Sequence, residues 1–189
     1  MFDVPEELIA RLNPPEIIHV QIDEQFLAND SFDIMDAIAP VWYGVNIYDS
    51  VAEYEFDLAK FTLPQRHIFA IEWYSAEVNN GGHFQFYDNS TGIVWEDAIK
   101  GFEEIGATLC VEIIKKSTQL FGGNPSKIRE ERQDTLGKFV HDDNFDWSTF
   151  DELDDAFYAV DTGELDLLLR KYIKNHEKDF YYSGDVSTR

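Results

Sequence analysis

The segment from Glu77 to Ser90 holds the densest collection of side chains that could do chemistry. Its letters are EVNNGGHFQFYDNS, and either Glu77 or His83 could act as a general base. The same letters fit a structural loop in which Gly81 and Gly82 reverse the chain and nearby amide side chains satisfy its backbone groups. No nucleophile or electrophile accompanies the base. We therefore expect no catalytic residues and predict that the protein is not an enzyme.

Two further patterns could bind a metal ion, and both are incomplete. Residues 142–146 begin like a calcium-binding EF-hand loop, but Trp147 stands where the sharp turn needs glycine and Leu153 where the bidentate glutamate belongs. The five histidines include no i,i+4 pair, and the one cysteine, Cys110, lies in an apolar helical pattern. We expect neither a metal site nor a cofactor. The common phosphate-loop, dinucleotide-binding and serine-hydrolase signatures are absent.

The charge of the chain argues against direct binding to nucleic acid. Among 189 residues, 37 are acidic and 15 are Lys or Arg, which gives a net charge of -22, whereas phosphate contacts require Lys and Arg. Two blocks, residues 12–59 and 139–169, contain no Lys or Arg and ten acidic residues each. Such blocks are typical of a solvated surface, and they also suit a surface that binds a basic protein.

The composition predicts a cytoplasmic protein. The first residues lack the basic start and apolar run of a secretory signal, and no apolar stretch approaches the roughly 20 residues that span a bilayer. A single cysteine cannot form an intrachain disulfide, which fits a reducing compartment.

Helical periodicity dominates the elements that would position these residues. We predict helices over residues 30–45, 64–78, 93–104, 107–121 and 126–140, the last with Ser126 as its N-cap. Capping boxes should open further helices at Ser50, Thr149 and Asp161. The Asn-Asn-Gly-Gly run at 79–82 should stop the helix before it. The fold class predicted is all-α, a single-domain bundle of about seven to nine helices, with a short strand favoured near residues 17–22.

The residues after position 148 show the clearest amphipathic helix. Phe150, Leu153 and Phe157 recur at helical spacing and predict a buried stripe. The intervening acidic residues should then face solvent. They are Asp151, Glu152, Asp154 and Asp155.

Three stretches resemble a known family. They are Trp73-x-x-x-Glu77-Val78-Asn79-Asn80-Gly81-Gly82, then Gln85-Phe86-x-x-Asn89-x-x-Gly92, then Glu104-Ile105-Gly106-Ala107. Together with residues 150–158 they are similar to the bacterial DMP-type DNA-mimic family, over roughly residues 60–178. The resemblance implies an all-α fold and a structural role for the motif residues Trp73, Glu77, Asn80, Gly81, Gly82, Gln85, Phe86, Asn89 and Gly106.

The domain plan takes only its central part from the resemblance, because residues 1–59 match no part of the family. Residues 60–178 would form the helical domain of this family, with residues 1–59 as an acidic helical segment packed on it and residues 179–189 as a flexible tail.

For the founding member the resemblance implies binding to a DNA-binding regulator in place of DNA. Because the charge agrees, we expect an acidic interaction protein whose partner is a basic DNA-binding protein or another basic protein. The residues predicted to bind it are Asp142, Asp143, Asp146, Asp151, Glu152, Asp154 and Asp155. An immunity or antitoxin protein that neutralises a basic toxin would need the same surface, and an enzyme that uses residues 77–89 is the third alternative. The sequence is also compatible with a homodimer.

Overall fold

The computed structural model describes residues 15–188. In chain order the helices and strands are β1 Ile17–Ile22, α1 Glu24–Ala28, α2 Ile34–Ala37, α3 Ala39–Gly44, α4 Val51–Leu58, α5 Leu63–Asp88, α6 Trp95–Ile105, α7 Thr108–Gln119, α8 Arg129–Val140, α9 Ser148–Tyr158, α10 Thr162–Asn175, α11 Glu177–Phe180 and β2 Tyr182–Ser187. A 3-10 helix, Ser90–Val94, joins α5 to α6. The fold is therefore all-α with one small sheet, as predicted, and the described residues hold eleven α-helices, several of them very short.

The sheet pairs the two ends of the described chain. Strand β1, which was predicted, lies antiparallel to β2, with Ile17 opposite Ser187 and Ile22 opposite Tyr182. We expected a flexible tail over residues 179–189, but residues 182–187 form strand β2, and residue 189 lies outside the described residues. The backbone groups of β2 pair with those of β1, 160 to 170 positions away, and Val186 packs in the protein interior.

Helix α5 lies at the centre of the fold. It opens with a capping box, in which Thr62 and Gln65 satisfy each other's free backbone N–H groups, and it packs against α6, α8 and α9. We predicted that the chain would leave the helix at residues 79–82. The backbone is indeed non-helical at Gly81 and Gly82, but the helix resumes at once and continues to Asp88. The glycines therefore break one long helix in two.

The first predicted helix, over residues 30–45, is two short ones. Pro40 lies in the first turn of α3, where it has no N–H to donate and its ring would clash with the carbonyl of residue 36 in a continuous helix. The chain breaks at Ile38 for this reason. Apolar side chains of this region, such as Phe32 and Val41, join the same core as the central residue Phe69.

Two of the predicted capping residues work as expected, and two do not. Ser50 accepts the backbone N–H of Glu53 at 3.2 Å, and Asp161 accepts that of Glu164 at 3.1 Å. Helix α8 begins without a side-chain cap. The hydroxyl of Ser126 accepts the backbone N–H of Ile128, which precedes the helix. Helix α9 starts one residue before Thr149, so the capping box predicted there does not form. Within the described residues, no helix is both long and apolar enough to cross a membrane.

Candidate functional site

Six acidic side chains lie exposed on and just before α9, and we call them the acidic face. Three come from the loop after α8 and three from the helix itself. They are Asp142, Asp143, Asp146, Asp151, Glu152 and Asp155. The seventh residue of the predicted set, Asp154, has a different environment, which is described below.

Helix α9 positions the helical half of the acidic face. Phe150, Leu153 and Phe157 are buried along one side and anchor the helix to the core. Since residues four apart lie on the same side of a helix, Asp151 and Asp155 are neighbours on the outer side, about 6 Å apart along its axis. The buried side chains fix the helix against the core, and the helix in turn fixes the backbone positions of these two aspartates.

The loop half of the acidic face is held by hydrogen bonds of its own. Asp142 Oδ1 accepts the backbone N–H of Asn144 at 2.9 Å. Asp146 Oδ1 accepts both the hydroxyl of Ser148, at 2.6 Å, and its backbone N–H, at 3.1 Å. These bonds, that of the hydroxyl first, lower the pKa of Asp146 below its usual value. Asp146 is therefore ionised at neutral pH, and its position is fixed.

The acidic face carries no compensating cation in the part of the chain that the structure describes. None of its six carboxylates forms an ion pair with Lys or Arg there. The block at residues 12–59 differs, because several of its carboxylates are neutralised by lysines. These ion pairs are Asp30 with Lys174, Glu55 with Lys127 and Asp57 with Lys60. Among the described residues both blocks keep carboxylates without an ion pair, and Asp166 of the later block pairs with Arg170, but the acidic face is uncompensated at every one of its members.

Asp154 belongs to a buried network and not to the solvent side of α9, so the orientation predicted for it is wrong. Its Oδ1 accepts the backbone N–H of His83 at 2.8 Å and lies 2.5 Å from His83 Nδ1. The other ring nitrogen of His83 is 2.7 Å from the hydroxyl of Tyr74. The side chain of His83 is fully buried and that of Asp154 is 18 % exposed. Asp154 therefore joins α9 to the break in α5.

Gly82 makes room for this contact. Its φ of 74° lies in the left-handed region, and a Cβ at this position would overlap the carboxylate of Asp154. The break in α5 turns the backbone N–H of His83 towards α9, which is the geometry that the Asp154 bond requires. The glycine thus serves the packing of one helix against another.

Glu77 holds the two halves of α5 together. Its Oε2 accepts the side-chain N–H groups of Gln85 and Asn89, both at 2.8 Å, and its Oε1 accepts the hydroxyl of Thr91 at 2.9 Å. We expected the amide side chains of this segment to bind backbone groups. They bind a carboxylate instead, across the break, so that helix α5 and the 3-10 helix form one unit. Glu77 and His83, the two candidate bases, each have their own hydrogen-bond partners.

The remaining motif residues pack or shape the chain. Trp73 stacks on Trp42 with ring centroids 4.4 Å apart, and Phe86 packs edge-on against Tyr74 at 5.0 Å. Gly106 ends α6 with a φ of 83°. Asn80 and Gly81 are exposed at the break.

Arg132 is a buried residue that the sequence reasoning missed. Its guanidinium donates to the carbonyl oxygens of Asn89, Ser126, Lys127 and Tyr87, at 2.6, 2.8, 3.0 and 3.0 Å. Burial lowers its pKa to about 10, so it stays charged and fastens α8 to the end of α5. The available signal was its i,i+4 spacing to Leu136, the other buried residue of α8.

Comparison with known proteins identifies the family of the chain. Residues 59–176 match the family described as DMP19-like protein, so the resemblance to a DNA-mimic type family is confirmed. No curated protein and no solved structure matched the chain. The matched region includes α5 with its break, the network of Glu77, and α9 with the helical half of the acidic face. Because the match covers more than half of the chain, this protein belongs to the DMP19-like protein family.

Proposed function

We propose that this protein is a non-catalytic DNA mimic, which uses its acidic face to occupy the basic DNA-binding surface of a transcriptional regulator or a similar protein in the cytoplasm. The observation that carries the proposal is the lack of Lys and Arg partners for the acidic face among the described residues. Membership of a family of the DNA-mimic type supports it. Uncompensated carboxylates are the groups that basic side chains of a partner can neutralise.

The physical basis is a match of fixed charges. Duplex DNA carries one negative charge per about 1.7 Å of its axis, and DNA-binding proteins answer it with Lys and Arg. Asp151 and Asp155 are held at a defined separation by α9, and Asp146 by its hydrogen bonds to Ser148. Since the backbone that carries these carboxylates is already ordered, binding costs less entropy than it would for a flexible acidic segment.

The surroundings of the two candidate bases support a non-catalytic function. His83 is fully buried between Asp154 and Tyr74, and Glu77 uses both carboxylate oxygens to accept hydrogen bonds from its own segment. A general base must reach the proton that it removes. Both groups serve the packing of α5 in the geometry described.

The test compares two charge variants of the full chain as immobilised bait for proteins of a cell extract. The first variant changes the acidic face, with Asp151→Asn, Glu152→Gln and Asp155→Asn. The matched control removes three carboxylates that lysines already neutralise, with Asp30→Asn, Glu55→Gln and Glu103→Gln. Both variants lose three negative charges. We expect the first to lose its captured protein and the control to keep it.

The captured protein must also bind DNA at the same surface. We expect a duplex oligonucleotide to displace it from the bait. Capture should also weaken as salt rises from about 0.1 M to about 1 M, because the Debye length falls from about 10 Å to about 3 Å. A captured basic protein that duplex DNA does not displace would contradict mimicry and favour an immunity or antitoxin role. Equal capture by both variants would rule out the acidic face as the binding site.

A further inference from the structure

An apolar groove runs beside the acidic face, between α7 and the segment from α9 to α10. Two depressions form it, with volumes of about 330 Å³ and 510 Å³, and both are lined by Leu109. The first is floored by Ile113 and Leu153, and the second by Leu165 and Leu168. Leu109 itself is 53 % exposed where they meet. A leucine so exposed, with apolar surface on both sides, is available for contact with another molecule.

The rim of the groove is mainly acidic. Glu112 and Glu152 border the first depression together with Lys116, and Asp161 and Glu164 border the second. None of these four carboxylates forms an ion pair within residues 15–188. Glu152 belongs both to the rim and to the acidic face, so the two surfaces are continuous.

We infer that this groove binds an amphipathic helix of the basic partner, with the apolar side chains of that helix against Leu109 and its Lys and Arg side chains against the acidic rim. The inference rests on the proposed function and deepens it, because it names the element of the partner that is recognised. Duplex DNA has no equivalent of an apolar groove. The partner would thus gain contacts here that DNA does not supply.

The dimensions of the groove suit a helix. The side chains that α9 contributes are Thr149, Glu152, Leu153 and Ala156, at positions i, i+3, i+4 and i+7, which span about 10 Å of helix axis. A bound helix uses anchors at the same spacing. Apolar side chains of one helix can therefore follow the groove along α9.

The charge of the rim selects a basic occupant over a second copy of this chain. A symmetric contact between two copies would bring two acidic rims together, in a chain whose net charge is -22. Like charges that face each other across an interface cost several kcal/mol. A basic helix instead places opposite charges at the rim.

The test uses a designed probe, a fluorescein-labelled helical peptide of about 15 residues, the length at which isolated helices become stable. Leucines at i, i+4 and i+7 form one side, and alanines and lysines fill the other positions, with no two lysines three or four residues apart because such pairs destabilise a helix. A control peptide has the same composition, with its leucines distributed around the helix. Fluorescence anisotropy measures the binding of both to the wild-type chain and to two variants. These are Leu109→Glu in the groove and Leu63→Glu at an equally exposed leucine on α5.

We expect the amphipathic peptide to bind the wild-type chain more tightly than the control peptide does. Leu109→Glu should weaken its binding by roughly tenfold or more, as for the loss of an interface anchor, while Leu63→Glu leaves it unchanged. Both variants add one negative charge, so attraction to a basic peptide cannot explain a loss at Leu109. In the wild-type chain, amide chemical shifts of α7 and α9 should move on titration with the amphipathic peptide.

Two outcomes would overturn the inference. One is equal affinity of the amphipathic peptide for the two glutamate variants, and the other is equal affinity of the wild-type chain for the two peptides. The proposed function has a separate criterion. If Leu109→Glu keeps the captured partner that the acidic-face variant loses, the groove is not used but the mimic function stands. If the acidic-face variant keeps the partner, the mimic function itself fails.

Discussion

Two neighbouring aspartates of α9 differ in what they contact, although their sequence context is similar. Asp155 is exposed and lies in the last turn, where a negative charge opposes the helix dipole. Asp154 lies 100° away from Asp155 about the helix axis. At that position it accepts two hydrogen bonds from His83. One residue supplies surface charge, and the other supplies stability.

Replacing each aspartate with alanine should separate these roles. Asp154→Ala removes the acceptor of two N–H groups of a buried histidine, so we expect the free energy of unfolding to fall by roughly 2–4 kcal/mol. Asp155→Ala should change it by no more than about 0.5 kcal/mol. Urea denaturation of both variants measures the difference. Equal effects would mean that the contact between Asp154 and His83 contributes nothing to stability.

Glu72 is a carboxylate whose folded environment opposes its charge. Burial, followed by the negative charges of Asp166 and Asp33, raises its pKa to about 7. Arg170 donates to Asp166, at 2.7 and 3.0 Å, and Glu72 itself forms no ion pair within residues 15–188. Folding therefore keeps a proton on Glu72 at a pH where the unfolded chain releases it.

This raised pKa predicts a loss of stability as pH increases. Between the usual pKa of 4.5 and the folded pKa of about 7, the folded chain binds the proton of Glu72 and the unfolded chain does not, so the free energy of unfolding falls over this range. Glu72→Gln has no proton to release. As pH rises from 5 to about 8, the Tm of the wild type should thus fall relative to the Tm of Glu72→Gln. A difference that stays constant with pH would show that Glu72 has an ordinary pKa.

Among the elements, helix α5 shows how a local break can serve tertiary packing. The Asn-Asn-Gly-Gly run predicted a helix stop, and the backbone does leave the helical region there. The carboxylate of Glu77 then bridges the break to Gln85 and Asn89, and Arg132 holds the end of the helix. One contact within the segment and one from outside it therefore stabilise the second half of the helix.

A pair of glycine substitutions tests the role of the break. Gly82→Ala places a Cβ at a positive φ and against Asp154, so we expect a loss of roughly 3 kcal/mol of unfolding free energy. Gly137 lies within α8, and a Cβ there would meet no atom within 4 Å. Gly137→Ala should therefore stabilise the chain by about 0.5–1 kcal/mol. Thermal or chemical denaturation measures the change in unfolding free energy for each variant. A Gly82→Ala variant as stable as the wild type would contradict the packing described.

At the scale of the whole molecule, charge acts on folding and binding in opposite directions. A net charge of -22 destabilises the compact chain by self-repulsion. The same charge attracts a basic partner. Lysines relieve part of the repulsion in the first acidic block, while the acidic face is left uncompensated among the described residues.

Salt should consequently stabilise the free chain and weaken its complex. Raising NaCl from about 0.1 M to about 1 M screens the repulsion within the chain, so we expect its Tm to rise. Differential scanning calorimetry of the free protein measures this. The acidic-face variant, with three fewer negative charges, should gain less from added salt. A Tm that falls with salt would show that the carboxylates are already neutralised in the folded chain.

The sequence by itself determined the helical class, the family and the two acidic blocks, because these depend on local periodicity, on a contiguous motif and on composition. The capping residues Ser50 and Asp161 were equally accessible. Each cap bonds to backbone groups within three positions along the chain, so the local sequence is enough to predict it.

Only the tertiary structure decided which acidic residues face solvent and that the two ends of the described chain pair with each other. Asp154 meets His83 across 71 positions, and β1 meets β2 across 160 to 170. Helical spacing predicts on which side of a helix a residue lies, but it does not predict which other element packs against that side. The energy of these contacts comes from groups that are distant in sequence, and the fold alone brings them together.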